Sequence, residues 1–373
     1  MRPKPGVIFF NTILLLLCFN SFHFQVLAQN VVTKETPTDG YVHKYNHTFR
    51  GIGPEVYILP AAKSKKEALQ ENYAEIGAFQ DSIVQALRFQ ELLTAFKYTS
   101  NMALVEQRLS TIPPDSLNWD SLIDLDRNPE DRSLIYGFMN VYAKVSLLHN
   151  NTSRAKSLLD SALQIAMQQQ NSGDMATIQA NLASVYLYDR NSEQAGRYEA
   201  AYLQQAAVRK NLVDQAKSWV KIAYIQAYNN DYKTAENSII RKAIPLFNKS
   251  KDYEGKIGAW VSLATIYQMQ QKHTEAQWFL LQARDLANSK KIDHELSEIL
   301  YRLGSSKLVQ KNLDISRKEL EQALQLAQEQ GNKYLQLAIQ EKLGQINLQQ
   351  NKVAEAEQNL ASYWKMRKEL FVN

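Results

Sequence analysis

His43 and His47 are spaced for a shared metal ion, because residues four apart lie on one face of an α-helix. Imidazoles paired in this way are common zinc ligands. However, Thr38-Asp39-Gly40 precedes the pair and Gly51-Ile52-Gly53-Pro54 follows it, and such residues favour turns over a helix. A third ligand is not evident in the sequence. We therefore predict neither a metal site nor a bound cofactor.

Sequence motifs for catalysis are absent. The chain has no glycine-rich phosphate loop, no HExxH zinc motif, no GxSxG nucleophile motif and no acidic calcium loop. His149, His273 and His294 fall in or beside polar turns, where we expect them at the surface. The sequence therefore predicts no catalytic residues, no enzymatic activity and no small-molecule substrate.

The first 28 residues have the pattern of a secretory signal peptide. A positively charged start is followed by an apolar run, 7–19, and by Val26-Leu27-Ala28, which suits cleavage before Gln29. One alternative is an uncleaved membrane anchor, although the run is shorter than the ~20 residues that a span needs. Another is a lipoprotein modified at Cys18. We expect an exported protein that is periplasmic, associated with the cell envelope or secreted, with no membrane span after cleavage.

Composition narrows the class of protein further. Of the 373 residues, 45% are hydrophobic and 22% are charged, as in folded proteins, and the scarcity of Gly (13) and Pro (9) favours helices. Cleavage would remove the single cysteine, and with it any disulfide or thiolate site. Loss of Arg2 and Lys4 would lower the formal charge from +5 to +3. Without a clustered basic face, we expect no nucleic-acid partner.

A repeat runs through the last two thirds of the chain. Six small residues recur at spacings of 40, 40, 41, 40 and 40, namely Ala155, Ala195, Ala235, Ala276, Ser316 and Ala356. Another small residue lies twelve positions before each of them, namely Ala143, Ala183, Ala223, Ala264, Gly304 and Gly344. A large apolar residue directly precedes each member of this second set. The pattern indicates six stacked structural units.

Each unit consists of two amphipathic runs joined by a polar turn. In the fourth unit the runs are 259–267 and 276–283, and the turn is Gln270-Gln271-Lys272-His273. Asn, Asp and Ser in the equivalent turns suit the end of one helix and the cap of the next. The small residues would lie where the paired helices cross, since missing side chains let two backbones approach.

These positions resemble the tetratricopeptide repeat family. The fourth unit matches the family pattern throughout, with Trp260, Leu263, Ala264, Tyr267, Ala276, Leu280 and Ala283. The second unit departs from it, because Glu199 and Tyr202 replace an apolar and a small residue. The usual period is about 34 residues, so the longer repeat must lengthen the helices or the return loop. The resemblance covers about residues 133 to 370. It implies an all-α, right-handed α-α superhelix of about six helix pairs.

We divide the chain into four parts. The signal peptide, 1–28, is followed by an extended or irregular arm, 29–62, which is rich in Gly, Pro, Thr and aromatic residues. Residues 63–132 comprise an N-terminal helical cap, because apolar residues keep helical spacing from Leu69 onward, and a loop with Pro and Asp. Residues 133–373 form the repeat array.

The resemblance also implies a binding groove, since first-helix side chains line the concave face of such solenoids. Carried over to this sequence, the partner-binding residues are Asn140, Lys144, Tyr188, Lys217, Tyr224, Tyr228, Gln268, Tyr301 and Gln345. Tyrosines offer large contact areas with polar tips, although they could equally pack on neighbouring helices. Next to Lys144 and Lys217, the groove would favour a segment with apolar anchors and some acidic residues.

The predicted function is that of a non-enzymatic scaffold or adaptor of the cell envelope, which binds a segment of a partner protein in its groove. The alternative is a sensory input module, because ~40-residue arrays behind a signal peptide resemble the extracytoplasmic modules of some bacterial sensor kinases. No second apolar span follows the repeats. Signalling would therefore act in trans, or the chain would be a truncated relative of such a kinase.

Overall fold

The structure is a computed structural model that describes residues 43–44, 57–58, 63–78, 80–111, 118–125 and 132–371. The expected signal peptide and His47 lie outside these residues, as do most of the expected arm and part of the loop. Within the arm, β1 (His43–Lys44) pairs antiparallel with β2 (Tyr57–Ile58). In the part of the chain that is described, no helix has both the length and the apolar character to cross a membrane.

Six helix pairs, here called units 1 to 6, occupy residues 132–371. Unit 1 consists of Arg132–Leu148 and Thr152–Gln168. Unit 2 consists of Ser172–Tyr188 and Ser192–Val208. Unit 3 consists of Leu212–Tyr228 and a helix in three segments, Tyr232–Asn237, the π-helical Ser238–Ala243 and Ile244–Ser250. Unit 4 consists of Tyr253–Met269 with His273–Lys290. Unit 5 consists of Leu296–Val309 and Leu313–Glu329, and a 3-10 turn, Asp293–Glu295, precedes its first helix. Unit 6 consists of Lys333–Gln349 and Val353–Phe371. Consecutive helices pack pairwise in sequence order, which confirms the predicted all-α solenoid.

Polar residues set the boundaries of the helices. Asn171 accepts a hydrogen bond from Asp174 N (3.1 Å), and Asp252 accepts one from Gly255 N (2.9 Å), so each caps a first helix. The turns between helices place one residue in the left-handed region, for example Asn230 at φ 62°. These turns lie where the sequence predicts them.

Small residues lie where the two helices of a unit cross. A Cβ added to Gly304 in unit 5 would lie 2.6 Å from Leu320 Cγ and 3.1 Å from the carbonyl oxygen of Ser316. Ser316 Oγ donates to Gly304 O at 2.7 Å. The equivalent residues of unit 4, Ala264 and Ala276, are both buried in one cluster. The predicted role of the recurring small residues is therefore confirmed.

Four helices precede the units: α1 (Lys65–Ala78), α2 (Gln80–Ala95), α3 (Met102–Ser110) and α4 (Trp119–Leu125). Helix α1 packs on both helices of unit 6, whereas α2 packs on the first helices of units 1, 2 and 6. Residues 65–101, here called the inner segment, thus join the two ends of the solenoid along its first-helix face. These helices precede the array, as the sequence predicts for an N-terminal helical cap, and they also reach unit 6 at the other end of the solenoid.

Candidate functional site

Arg88 of α2 anchors the inner segment on units 2 and 3. Its Nη2 donates hydrogen bonds to the carbonyl oxygens of Leu187 and Tyr188, both at 3.2 Å. These carbonyls end the first helix of unit 2, where the helix dipole favours a cation. The guanidinium carbon lies 5.8 Å from the ring centroid of Tyr188 and 5.9 Å from that of Tyr228, within range of a cation–π contact. Arg88 is only 9% exposed, so two carbonyls and two rings replace most of its water.

Aromatic rings surround this anchor. The ring centroids of Phe89 and Tyr188 are 5.9 Å apart, and Phe96 is buried against units 1 and 2. Lys144 of unit 1 places its Nζ 4.8 Å from the centroid of Tyr98 and 5.9 Å from that of Phe96. Lys144 thus faces rings of the inner segment, whereas the sequence placed it beside a partner segment with apolar anchors and some acidic residues.

Asn181 of unit 2 pairs with the backbone of the inner segment just after α2 ends. Its Oδ1 accepts a hydrogen bond from Lys97 N (2.8 Å), and its Nδ2 donates one to Lys97 O (2.7 Å). Asn140 Nδ2 donates a second bond to Lys97 O at 3.3 Å. Both asparagine side chains are buried, so these bonds satisfy groups that would otherwise be unpaired out of water.

The first helices of units 2 and 3 each offer a carboxylate to the inner segment. Asp174 accepts hydrogen bonds from Ser100 N (2.7 Å) and Ser100 Oγ (2.8 Å). Asp214 Oδ1 lies 3.2 Å from Lys97 Nζ, which also contacts the hydroxyl of Tyr202. Burial lowers the pKa of Lys97, and the carboxylate of Asp214 opposes this shift. Burial acts to raise the pKa of Asp214, but Lys97 and Tyr202 outweigh it, so the pKa is lowered.

The contact with unit 6 is mainly apolar. Five side chains of α1 and α2 are at most 5% exposed there, namely Leu69, Tyr73, Ile76, Ile83 and Leu87. Tyr73 donates its hydroxyl to Ala356 O at 2.7 Å. Its ring lies so close to Gly344 that a Cβ at that position would overlap the hydroxyl. This half of the inner segment is therefore fixed by shape and by apolar burial.

The floor of the first-helix face in units 4 and 5 carries a buried polar network. Arg302 is fully buried and donates through Nε to Glu298 (2.7 Å) and through Nη1 to Thr265 (2.7 Å). Gln268 beside it is 1% exposed, and its amide has no hydrogen-bond partner among the described residues. Burial raises the pKa of Tyr224 and of Tyr301, so both phenols are neutral donors.

The structure brings the predicted partner-binding residues to the first-helix face, but the inner segment lies over several of them. The buried members are Asn140, Tyr224, Gln268 and Tyr301, and the half-buried members are Lys144, Tyr188, Lys217, Tyr228 and Gln345. Gln345 Nε2 bonds to Glu341 of its own helix (2.6 Å). Tyr301 packs in the same cluster as the apolar residues of α1. The chain's own residues thus take the place that the sequence assigned to a partner.

Arg88, Phe89 and Lys97 are contact residues that the sequence analysis missed. The helical spacing of apolar residues from Leu69 onward predicted a helical cap, but a spacing pattern does not say which surface a helix covers. The sequence did contain one signal, an arginine among the apolar residues of α2. Arg88 directly follows Leu87, and both side chains are buried. Its carbonyl partners are backbone atoms, which no residue type reveals.

A cavity of about 490 Å³ lies between α2 and units 5 and 6. It is lined by Gln90, Leu93 and Thr94 of α2 and by His294, Gln330, Gly331 and Asn332 of units 5 and 6. His294 also belongs to a cluster with Glu254 and Glu295, whose ligand atoms all lie within 4.8 Å of one another. Burial, followed by Glu298 and Glu254, raises the pKa of Glu295 well above its usual range. The predicted surface position of His294 is therefore correct only in part, because its side chain is 38% exposed and meets two carboxylates.

Comparison with known proteins gives a fold and no family. No family model matches the chain, and no curated protein matches it. Among solved structures, a Signal Transduction ATPase with Numerous Domains that has a tetratricopeptide repeat sensor, from Pyrococcus horikoshii, is 12% identical with a TM-score of 0.56. The match covers 82% of this chain and 48% of that one, so this chain spans about half of that protein.

Two further structures are similar over most of their length. The apo form of RapI is 14% identical with a TM-score of 0.50, and the match covers 81% of this chain and 98% of that one. Aspartyl phosphate phosphatase F from Bacillus subtilis is 15% identical with a TM-score of 0.50, over 84% of this chain and 77% of that one. At these identities the likeness shows the fold alone: a tetratricopeptide-like helical solenoid.

Proposed function

We propose that this chain is a non-enzymatic, protein-binding solenoid whose first-helix face in units 1 to 3 binds a helical segment of a partner protein. One observation carries the proposal: this face already holds a helix, through Arg88 between the rings of Tyr188 and Tyr228. A surface that binds one helix by side-chain and backbone contacts can bind another with the same chemistry. The inner segment is then the occupant that a partner replaces.

Exchange would involve residues 88–101 and leave residues 65–87 in place. Against unit 6, five buried apolar side chains contribute about 8–15 kcal/mol at most, from about 1.5–3 kcal/mol for each. Against units 1 and 2, the most deeply buried apolar side chains of residues 88–101 are Leu92 and Phe96, at 3% and 6% exposed, which corresponds to about 3–6 kcal/mol. The remaining contacts in that half are the half-buried side chains of Phe89 and Leu93, cation–π contacts, hydrogen bonds and the ion pair of Lys97, and a partner helix with matching groups could replace them.

The occupant indicates the chemistry of the partner. An arginine followed by an aromatic residue fills the space between Tyr188 and Tyr228, and the end of a helix accepts the arginine. We therefore propose a partner helix that carries Arg next to an aromatic residue. This proposed partner differs from the partly acidic segment that Lys144 and Lys217 suggested, because Lys144 contacts aromatic rings of the inner segment.

The test uses the full-length protein and a fluorescein-labelled peptide of residues 80–101. Arg88→Ala removes the anchor and should loosen residues 88–101 by about 1–2 kcal/mol. The peptide should then bind this variant about 5- to 30-fold more tightly than the wild type. Gln85→Ala changes an exposed residue of the same helix and should bind as the wild type does. Equal affinities for Arg88→Ala and wild type, with both proteins folded by circular dichroism, would contradict the proposal.

A sensory input module that acts in trans is the second candidate. It rests on the likeness to the protein from Pyrococcus horikoshii, which carries a tetratricopeptide repeat sensor. A sensor should transmit occupancy of the groove to a signalling protein. The first test is whether the neighbouring genes encode a membrane kinase. Co-expression of that kinase with this chain is the second, because Arg88→Ala should then change the activity of the kinase.

Export to the cell envelope is part of the proposal. It rests on the sequence pattern of residues 1–28 and predicts Gln29 as the first residue of the mature protein. Intact-mass measurement of protein purified from the envelope should give a species that begins at Gln29. A species that retains Cys18, with or without lipid, would contradict this assignment.

A further inference from the structure

Three units have an acidic residue at the third position of the first helix. Positions are counted from the equivalent start of each repeat, which in unit 5 is Asp293 of the 3-10 turn. The acidic residues are Asp174 in unit 2, Asp214 in unit 3 and Glu295 in unit 5. The first two have partners: Asp174 binds Ser100 and Tyr136 (2.7 Å to its hydroxyl), and Asp214 binds Lys97. In both cases the inner segment supplies a donor or a cation.

No contact of this kind is found between Glu295 and the described part of the inner segment. Glu295 is 7% exposed, and its Oε1 lies 3.9 Å from His294 Nε2, which is too far for a hydrogen bond. Arg302 is a buried cation whose charge acts on Glu295, but it is paired with Glu298 through Nη2 at 2.6 Å. Glu295 therefore lacks the close polar contacts that the inner segment gives to its equivalents in units 2 and 3, and burial without such contacts is costly for a carboxylate.

Two side chains of adjacent units face this carboxyl. Glu254 and His294 occupy the same register position in units 4 and 5, where units 2, 3 and 6 have Gly173, Val213 and Tyr334. His294 Nε2 lies 3.4 Å from Glu254 Oε1 and 3.9 Å from Glu295 Oε1. Neither Glu254 Oε1 nor His294 Nε2 has a hydrogen-bond partner in the described chain, and both atoms are buried.

We propose that Glu254, His294 and Glu295 bind a zinc ion that joins unit 4 to unit 5. One imidazole and two carboxylates are ligand types that zinc accepts, with bonds of about 2.0–2.2 Å. Ligand atoms around such an ion lie about 3.4 Å apart, so the observed separations require only small side-chain shifts. Two carboxylates also balance the charge of the ion.

The local backbone at His294 and Glu295 differs from that of the equivalent positions in other units. The first helices of units 2, 3, 4 and 6 begin after an Asn or Asp cap, whereas in unit 5 that position is Ile292 and a 3-10 turn follows. Gln330 Nε2 donates to the carbonyl oxygens of Asp293 (3.3 Å) and His294 (3.4 Å) and so holds this turn. Because His294 also lines the 490 Å³ cavity, a fourth coordination position would face the cavity and take a water molecule.

The test is zinc binding to untagged, full-length protein after removal of metals with a chelator. Isothermal titration should show one Zn²⁺ per chain, and Zn²⁺ should raise the melting temperature. Glu295→Gln and His294→Gln should each weaken binding by about tenfold or more, since even indirect partners of metal ligands have effects of this size. Glu275→Gln and His149→Gln, exposed residues of the same types, should bind Zn²⁺ as the wild type does.

Several results would overturn the proposal. These are no Zn²⁺ binding by the wild type, equal binding by wild type and Glu295→Gln, or loss of binding in His149→Gln. Binding of Ca²⁺ or Mn²⁺ in preference to Zn²⁺ would overturn the assignment of the ion. Stability separates a metal site from a structural role: Glu295→Gln should not lower the melting temperature of the metal-free protein, because the amide has nearly the same shape as the carboxyl group and carries no charge that burial would oppose.

Discussion

The two halves of the inner segment are held in different ways. Residues 65–87 bury apolar side chains on unit 6. Their polar contacts with it are few: Tyr73 donates to Ala356 O, Arg367 donates to Ser82, and Lys65 and Lys66 make exposed contacts with Glu357 and Asn351. Residues 88–101 bury fewer apolar groups on units 1 to 3 and are held by Arg88, Asn181 and two carboxylates. One face of the solenoid thus combines an apolar and a polar docking surface.

The two kinds of contact give the two halves of the inner segment different properties. Apolar burial is strong and non-directional, so residues 65–87 should stay docked as part of the core. Hydrogen bonds and ion pairs contribute little net stability but require matching partners. Under the proposed function, residues 88–101 are therefore the part that a partner helix with matching groups would replace.

The largest expected effect is that of Ile76→Ala. Ile76 is 0% exposed on unit 6, so the substitution should cost about 2–5 kcal/mol of unfolding free energy. Urea unfolding measures the cost, and Glu75→Ala, which changes the exposed neighbour, should stay close to the wild type. A loss below about 1 kcal/mol would show that residues 65–87 are not part of the core.

A smaller effect is expected for Asn181→Ala. It leaves the N–H and C=O groups of Lys97 without their amide partner, which should cost about 1–3 kcal/mol. Hydrogen exchange should locate the loss of protection in residues 88–101 and leave residues 65–87 protected. Gln169→Ala, at an exposed turn of the neighbouring unit, serves as the control. Equal loss of protection in both halves would mean that the inner segment opens as one piece.

The smallest effect is expected for Tyr228→Ala, which removes one of the two rings around Arg88. A cation–π contact of this kind is worth about 0.5–2 kcal/mol, so residues 88–101 should lose protection by that amount. Tyr253→Ala removes a similar pair with Lys290, at 4.1 Å, away from the inner segment. If Tyr228→Ala and Tyr253→Ala leave residues 88–101 equally protected, the ring of Tyr228 does not help to hold Arg88.

The repeat array could be predicted from the sequence because its signals are local. Small residues at crossings such as Gly304 and Ser316, and polar caps such as Asn171, act within one unit and recur in each. The inner segment could not be placed, because contacts such as that between Arg88 and Leu187 join residues far apart in the chain. The tyrosines at 188 and 228 were found on the correct face, but residue types did not show that an arginine of the same chain lies between them.

The most direct test of the central claim is a photo-crosslink from position 89 in the full-length protein. Phe89 can be replaced by a photoreactive phenylalanine analogue, with the same analogue at Gln85 as the exposed control. Since the Phe89 ring lies 5.9 Å from that of Tyr188, mass spectrometry should find an intramolecular crosslink to the helix Ser172–Tyr188. Excess peptide of residues 80–101 should reduce its yield. A crosslink from position 89 to other units only, or a yield that the peptide does not change, would contradict the account of an exchangeable helix on the first-helix face.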